Sequence, residues 1–183
     1  MTPVNILLPI EIMARELEYK LFLAVSLASK NTRIIVAQHD YFDKHCSRFV
    51  GGIYIGKNCF KGPFLENDTD HSKNLTYLNE LKNNNISVVY LDEEGGVWPG
   101  DEPDWKAYVS SRVRPEVFSK DDYIVTWGNY QKEYLESKKL SFPKSNIIAC
   151  GHPKYDLYKP KYREFFKKEI DEIKEKYNSF ILI

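Results

Sequence analysis

Val88-Val89-Tyr90-Leu91-Asp92-Glu93-Glu94-Gly95-Gly96 is the stretch on which the fold of this chain turns. A β-branched, apolar run ends abruptly in three acids, and two glycines follow. Such a run reads as a strand buried on both faces. The glycines let the backbone turn sharply. Three carboxylates are thereby placed just past the carboxyl end of an interior strand, where open α/β sheets bind ligands. The same residues also fit a plain polar turn whose acids cap the next segment. The stretch alone leaves both readings open.

Working outward, strand-like and helix-like segments alternate. Residues 4–9 read as a buried strand that Pro9 ends. Residues 11–30 read as a long helix, with Leu17, Leu21, Ala24, Val25 and Ala28 as its apolar face. On it, Glu11 and Arg15 stand four apart, as do Glu16 and Lys20, a spacing that suits ion pairs. Residues 33–37 form a second strand, ending at Gln38-His39-Asp40. Asp40 and Asp43 resemble a helix-start pair for a short helix over 41–49. Gly52–Ile55 is a third strand, residues 74–84 a helix and residues 87–91 the interior strand. Residues 95–114, rich in Gly, Pro, Trp and acids, read as a long irregular segment of the functional kind. A strand over 123–127, a helix over 130–138 and a strand over 147–150 complete the series.

This alternation predicts an α/β fold, a Rossmann-like parallel sheet with helices on both faces. Strand tips in such a sheet share one edge. Glu11, His39, Asp92, Glu93, Glu94, Asn129 and His152 are therefore expected to converge on one crevice. Each alone is an ordinary polar loop residue.

Bulk properties remove several function classes. Lys and Arg together number 26, and so do Asp and Glu, so no basic footprint argues for nucleic acid. Cys46, Cys59 and Cys150 are odd in number and lack Cys-x-x-Cys spacing, which favours reduced thiols over a disulfide framework or a zinc site. His39, Asp43, His45 and Cys46 have no distant partner set that would complete a metal site, and no metal is expected. Neither Gly-x-Gly-x-x-Gly after the first strand nor a P-loop occurs, and Gly-x-Ser-x-Gly is missing too. No cofactor is expected. The N-terminus lacks a basic signal region, and no run approaches the roughly 20 apolar residues of a membrane span. Residues 159–177 read as a charged helix, and Ser179-Phe180-Ile181-Leu182-Ile183 as the start of another strand.

Four pieces carry a resemblance across most of the chain. They are Leu8-Pro9-Ile10-Glu11 with Arg15-Glu16-Leu17 and residues 21–24; Gly52-Ile53-Tyr54; Leu91-Asp92-Glu93-Glu94-Gly95; and Gly151-His152-Pro153-Lys154-Tyr155-Asp156. As a set they resemble bacterial surface-carbohydrate biosynthesis proteins, akin to capsule sugar transferases and to glycerophosphotransferases of wall-polymer synthesis. The resemblance implies the N-terminal half of a GT-B-type glycosyltransferase. Residues 1–158 are then a Rossmann-like acceptor-side domain, and 159–183 a linker helix and the first strand of a further domain. Glu93 or Glu94 becomes the general base, with His39 as the competing base. Glu11, Arg15, Asp92, Gly95, Asn129, His152 and Lys154 become substrate contacts. Lys154 stands where Arg is usual, which keeps the charge but loses bidentate phosphate geometry.

The implied reaction moves a sugar from a nucleotide sugar to a surface polysaccharide or lipid-linked glycan. It is expected in the cytoplasm, with peripheral association at the inner face of the membrane. Glycerophosphate or polyol-phosphate transfer, a nucleotide-sugar 2-epimerase activity, and a non-catalytic glycan- or partner-binding module are the alternatives. By itself this chain is expected to be inactive and to bind nucleotide sugar weakly. The wall at 92–94 reads as acidic, with only His152 and Lys154 as nearby cations.

Overall fold

Six apolar runs form strands in the computed structural model, which describes residues 3–64, 72–93, 100–138 and 142–178. They are β1 (Val4–Ile10), β2 (Thr32–Gln38), β3 (Gly52–Ile55), β4 (Ile86–Leu91), β5 (Tyr123–Thr126) and β6 (Ile147–Ala149). Helices α1 (Met13–Leu27), α2 (His39–His45), α3 (Thr76–Asn83), α4 (Glu102–Arg112) and α5 (Asn129–Glu136) alternate with them. The short α6 (Pro153–Asp156) and the exposed α7 (Lys167–Tyr177) follow β6.

Every strand pair is parallel, and the order is β2-β1-β3-β4-β5-β6. The expected Rossmann-like α/β class is the observed one. β4 lies inside the sheet between β3 and β5, and its Ile86, Val88, Tyr90 and Leu91 are buried. The chain leaves β1 toward β2 on one side, then returns to place β3 on the other. That reversal opens a crevice beyond the carboxyl ends of β1 and β3, the usual ligand position in such sheets. The main core joins Leu7, Tyr54, Val88 and Ile124 of the strands to Leu78, Leu81, Val109 and Leu135 of the helices.

The structure differs from the sequence reading in several elements. Pro9 does not end β1, which continues to Ile10 and pairs Pro9 with Ala37. The register with β3 covers only Ile6 and Leu7, so at Pro9 one side of β1 carries no ladder, and a missing N–H is tolerated there. The helix over 41–49 instead begins at His39, after a Gln38 whose side chain makes no capping bond; Asp40 lies in the first turn, where a carboxylate suits the helix dipole. Part of the expected irregular segment is α4. Asp101 accepts from the Asp104 N–H, and the Asp104 carboxylate accepts from the Asp101 N–H, a reciprocal capping box with Pro103 in the first turn. The charged segment after residue 159 divides into a 3-10 stretch (Pro160–Phe166) and α7. Residues 179–183 lie outside the described residues.

The largest difference concerns α1. Its buried residues are Glu16, Tyr19 and Lys20, whereas Leu21 and Val25 are 47% and 78% exposed. Glu16 accepts from the Glu11 N–H at 2.8 Å and pairs with Arg15 at 2.8 Å, and Lys20 turns inward to Glu93 rather than to Glu16. The outer side of α1 meets the segment after β6, where Phe22 packs edge-on against Tyr162 at 5.0 Å.

Asp122 fastens β4 to β5. Its fully buried carboxylate accepts from Val88 N at 2.7 Å, Ser119 N at 2.7 Å and Ser119 Oγ at 2.8 Å, and it pairs with Lys82 of α3. Asp122→Ala leaves buried N–H donors without a partner and is expected to cost about 3 kcal/mol, read as a lower urea midpoint. A loss below about 1 kcal/mol would mean that solvent replaces the carboxylate.

Candidate functional site

A cavity of about 500 Å³ occupies the crevice at the strand-order reversal. Glu11 follows β1, His39 follows β2, and Lys57 and Asn58 follow β3; Lys61, Phe60, Tyr90 of β4, and Ser111 and Arg112 of α4 complete most of the wall. Glu11 Oε2 receives Lys57 Nζ at 2.9 Å and Arg15 Nη2 at 3.4 Å. The Lys57 hydrogen bond, aided by its charge and by Asn58 and Arg15, holds the Glu11 carboxyl below the usual carboxylate range despite partial burial. Glu11 is therefore ionised at neutral pH.

His39 sits edge-on to Tyr77 at 5.5 Å. Burial outweighs the neighbouring Asp43 and Asp40 and lowers its pKa, so the ring is neutral at pH 7. Its Nδ1 is buried and has no hydrogen-bond partner among the described residues. Lys61 pairs with Asp43. Arg112 reaches Asp92 through two parallel bonds, Nε to Oδ2 at 3.0 Å and Nη2 to Oδ1 at 2.9 Å, and its carbonyl accepts from the Tyr90 hydroxyl at 3.1 Å. Such forked pairing fixes the guanidinium plane.

Behind this wall lies a second cluster. Glu93 Oε1 accepts from the Tyr19 hydroxyl at 2.7 Å and contacts Lys20 Nζ at 2.9 Å. Lys20 also donates to the Ile55 carbonyl at 3.0 Å. Burial raises the Glu93 pKa, against the opposing pull of Lys20 and Tyr19. Trp127 donates from Nε1 to the Asp92 carbonyl at 3.0 Å and stacks on His152 at 5.1 Å; Tyr19 meets the same imidazole edge-on at 4.7 Å. His152 Nδ1 accepts from the Lys154 N–H at 3.1 Å, which assigns the proton of the neutral ring to Nε2. Nε2 is buried without a partner among the described residues.

The predicted site residues thus fall into groups. Glu11 and His39 line the cavity, with Arg15 bracing Glu11, and Asp92 anchors Arg112 of its wall. Glu93 and His152 belong to the buried cluster joined by Tyr19. Lys154 touches that cluster through its backbone, and Asn129 is exposed at the start of α5 and belongs to neither group. Glu94 and Gly95 lie outside the described residues. Tyr19, Lys57, Lys61, Arg112 and Trp127 are site residues that no sequence pattern singled out, and the spacing of Lys20 pointed only to an ion pair with Glu16, not to Glu93. Nor is the wall acidic as expected. Arg112 offsets Asp92, Lys20 offsets Glu93, and Lys57 and Lys61 join Arg112 at the cavity, so His152 and Lys154 are not the only nearby cations.

Among the described residues no three His, Cys, Asp or Glu side chains gather as a metal-binding group, and no helix is long and apolar enough to cross a membrane. No protein-family model matches the chain, and no curated protein or solved structure matches it.

His152 makes the cluster pH-sensitive. Burial, reinforced by Lys20 and Lys154 and opposed by Asp92, lowers its pKa from 6.5 to about 4. Between those values the unfolded chain binds more protons than the folded one, so stability rises with pH across the window and is lost as pH falls through it. The slope attributable to His152 is up to about 1 kcal/mol per pH unit after solvent screening. Glu93, with a raised pKa, contributes in the opposite sense just above its unfolded value, and is common to wild type and variant. The stability difference between wild type and His152→Phe, measured by urea denaturation, is expected to rise from pH 4 to 6.5 and then level off. Parallel curves for the two proteins would remove His152 as the cause.

Proposed function

We propose that this chain supplies the acceptor side of a GT-B-type glycosyltransferase that moves a sugar from a nucleotide sugar to a surface polysaccharide or lipid-linked glycan. The observation that carries the reading is the cavity of about 500 Å³ at the strand-order reversal, a size usual for small-molecule sites. Its lining suits a sugar. Phe60 and Tyr90 contribute aromatic atoms to the lining, the ionised Glu11 accepts from hydroxyls, and Asn58 and Ser111 both donate and accept. A second domain of the same class, facing this edge, carries the donor in this reading.

In the transfer, the acceptor oxygen bonds to the anomeric carbon, the bond from that carbon to phosphate breaks, and the nucleoside diphosphate leaves. The acceptor proton passes to a carboxylate. Glu93 or Glu94, shortly after β4 in the sequence, is the assigned base, with His39 as the alternative that lines the cavity itself; Glu93 does not line it and serves only by leaving Lys20 and Tyr19 to meet the acceptor. Glycerophosphate or polyol-phosphate transfer would use the same acceptor chemistry with another donor.

Calorimetric titration of this chain tests the assignment. Oligosaccharides from capsular polysaccharide are expected to bind saturably. Uridine, cytidine and guanosine diphosphate sugars are expected to bind more weakly than about 1 mM. Tight binding of a nucleotide sugar with no binding of glycan would move the donor site into this chain and end the acceptor-side reading.

A further inference from the structure

We propose that the cavity beyond β1 and β3 selects a sugar bearing an anionic group, either a carboxylate or a phosphate ester. This deepens the acceptor-side reading and rests on it. The argument begins with the wall. Lys57, Lys61 and Arg112 all line one cavity, against Glu11 as the single acid among its described lining residues. Asp43 and Asp92, which pair with Lys61 and Arg112, do not line it; they brace those two cations from outside the lining.

This bracing sets geometry. Asp92 takes Arg112 Nε and Nη2 together, and the Arg112 Nη1 donates to the Tyr108 hydroxyl at 3.2 Å, so the guanidinium is held from several sides. Lys57 is held 2.9 Å from Glu11 and its side chain is only 8% exposed. Cations already fixed in place lose little freedom when an anion arrives, which favours binding. His39 is neutral and adds a polar contact rather than charge. Glu11 disfavours an anion placed beside it, which directs the charged group toward Lys61 and Arg112 and leaves hydroxyls for Glu11.

The test is titration of the whole chain, followed by ligand-observed NMR, with glucuronate, glucose 6-phosphate, glucose and inorganic phosphate. It is run for wild type, Lys57→Met, Lys61→Met and Lys61→Arg. At least one charged sugar is expected to bind about tenfold tighter than glucose. Lys61→Met is expected to remove most of that preference and Lys57→Met a smaller part of it, Lys61→Arg to restore it, and the thermal midpoint of Lys61→Met to stay near wild type, since this side chain is 40% exposed. The relative affinities of glucuronate and glucose 6-phosphate identify which anion is preferred. Equal affinity for glucose and the charged sugars overturns the anionic assignment and leaves the sugar-transfer reading standing. Inorganic phosphate binding as tightly as glucose 6-phosphate overturns the sugar contact and this proposal with it. Charged binding unaltered in both methionine variants, or no binding of any probe, also overturns the proposal, and the oligosaccharide titration then decides the transfer reading separately.

Discussion

Lys20→Met is expected to lower the stability of the fold by about 3–5 kcal/mol at pH 7, the usual cost of removing one partner of a buried ion pair. Lys20 is fully buried, and its ammonium lies 2.9 Å from Glu93 Oε1 and 3.0 Å from the Ile55 carbonyl. Methionine fills much of the space but leaves the Glu93 carboxylate without its counter-charge. The Tyr19 hydroxyl remains as a single neutral donor to it.

Two further measurements separate charge from packing. Glu93 already has a raised pKa, mainly through burial, so its folded form takes up a proton before its unfolded form as pH falls. Loss of Lys20 raises that pKa further, because the Lys20 ammonium does most to keep the buried carboxylate ionised. The deficit of Lys20→Met should therefore shrink as the pH is lowered from 7 toward the unfolded carboxylate pKa, where neutral Glu93 no longer needs the ammonium. The double variant Lys20→Met with Glu93→Gln should recover much of the loss at pH 7, since it removes both charges. A deficit that is independent of pH and unchanged in the double variant would assign the effect to packing alone. Activity assays on Glu93 variants need this control, because loss of the carboxylate also leaves Lys20 buried without its partner.

Gly52→Ala is expected to destabilise the protein by about 4 kcal/mol or more, enough to abolish soluble expression of a marginal domain. Gly52 opens β3 with a φ of +130°, and an added Cβ would lie 2.3 Å from the Asn5 carbonyl oxygen and 2.8 Å from Asn5 Cβ. Neither neighbour can yield cheaply. Asn5 is in β1, its side chain donates to the Gly51 carbonyl at 3.2 Å, and it accepts from Arg33 Nε at 2.8 Å. The adjacent Gly51 provides the comparison. It has a φ of +69°, but a Cβ there meets nothing within 4 Å, so Gly51→Ala carries only the left-handed backbone cost of about 1 kcal/mol. Urea denaturation of both variants gives the test. Equal losses would show that backbone conformation, rather than the close approach of β1 and β3, sets the demand for glycine at position 52.

The sequence by itself determined the fold class, because the interactions that define each element are local. Apolar β-branched runs such as residues 86–91 make strands wherever both faces are covered, and amphipathic segments between them make helices. The alternation then leaves a parallel sheet as the economical arrangement, and with it a shared edge for Glu11, His39 and Asp92. The tertiary structure alone decided which face of α1 turns inward. Periodicity favours Leu21 and Val25, but the surface opposite offers the Glu93 carboxylate and the Ile55 carbonyl, and Tyr19 and Lys20 satisfy those groups. Leucine or valine would leave them unpaired at a cost larger than the apolar area gained. The cavity was equally out of reach. Lys57, Lys61 and Arg112 follow no common motif, and they meet only because the strand order reverses at β1 and Arg112 at the end of α4 pairs with Asp92 just after β4. Charge neutralisation at Asp92 by Arg112 and at Glu93 by Lys20 likewise joins residues far apart in the sequence, set by the neighbours that strand order supplies.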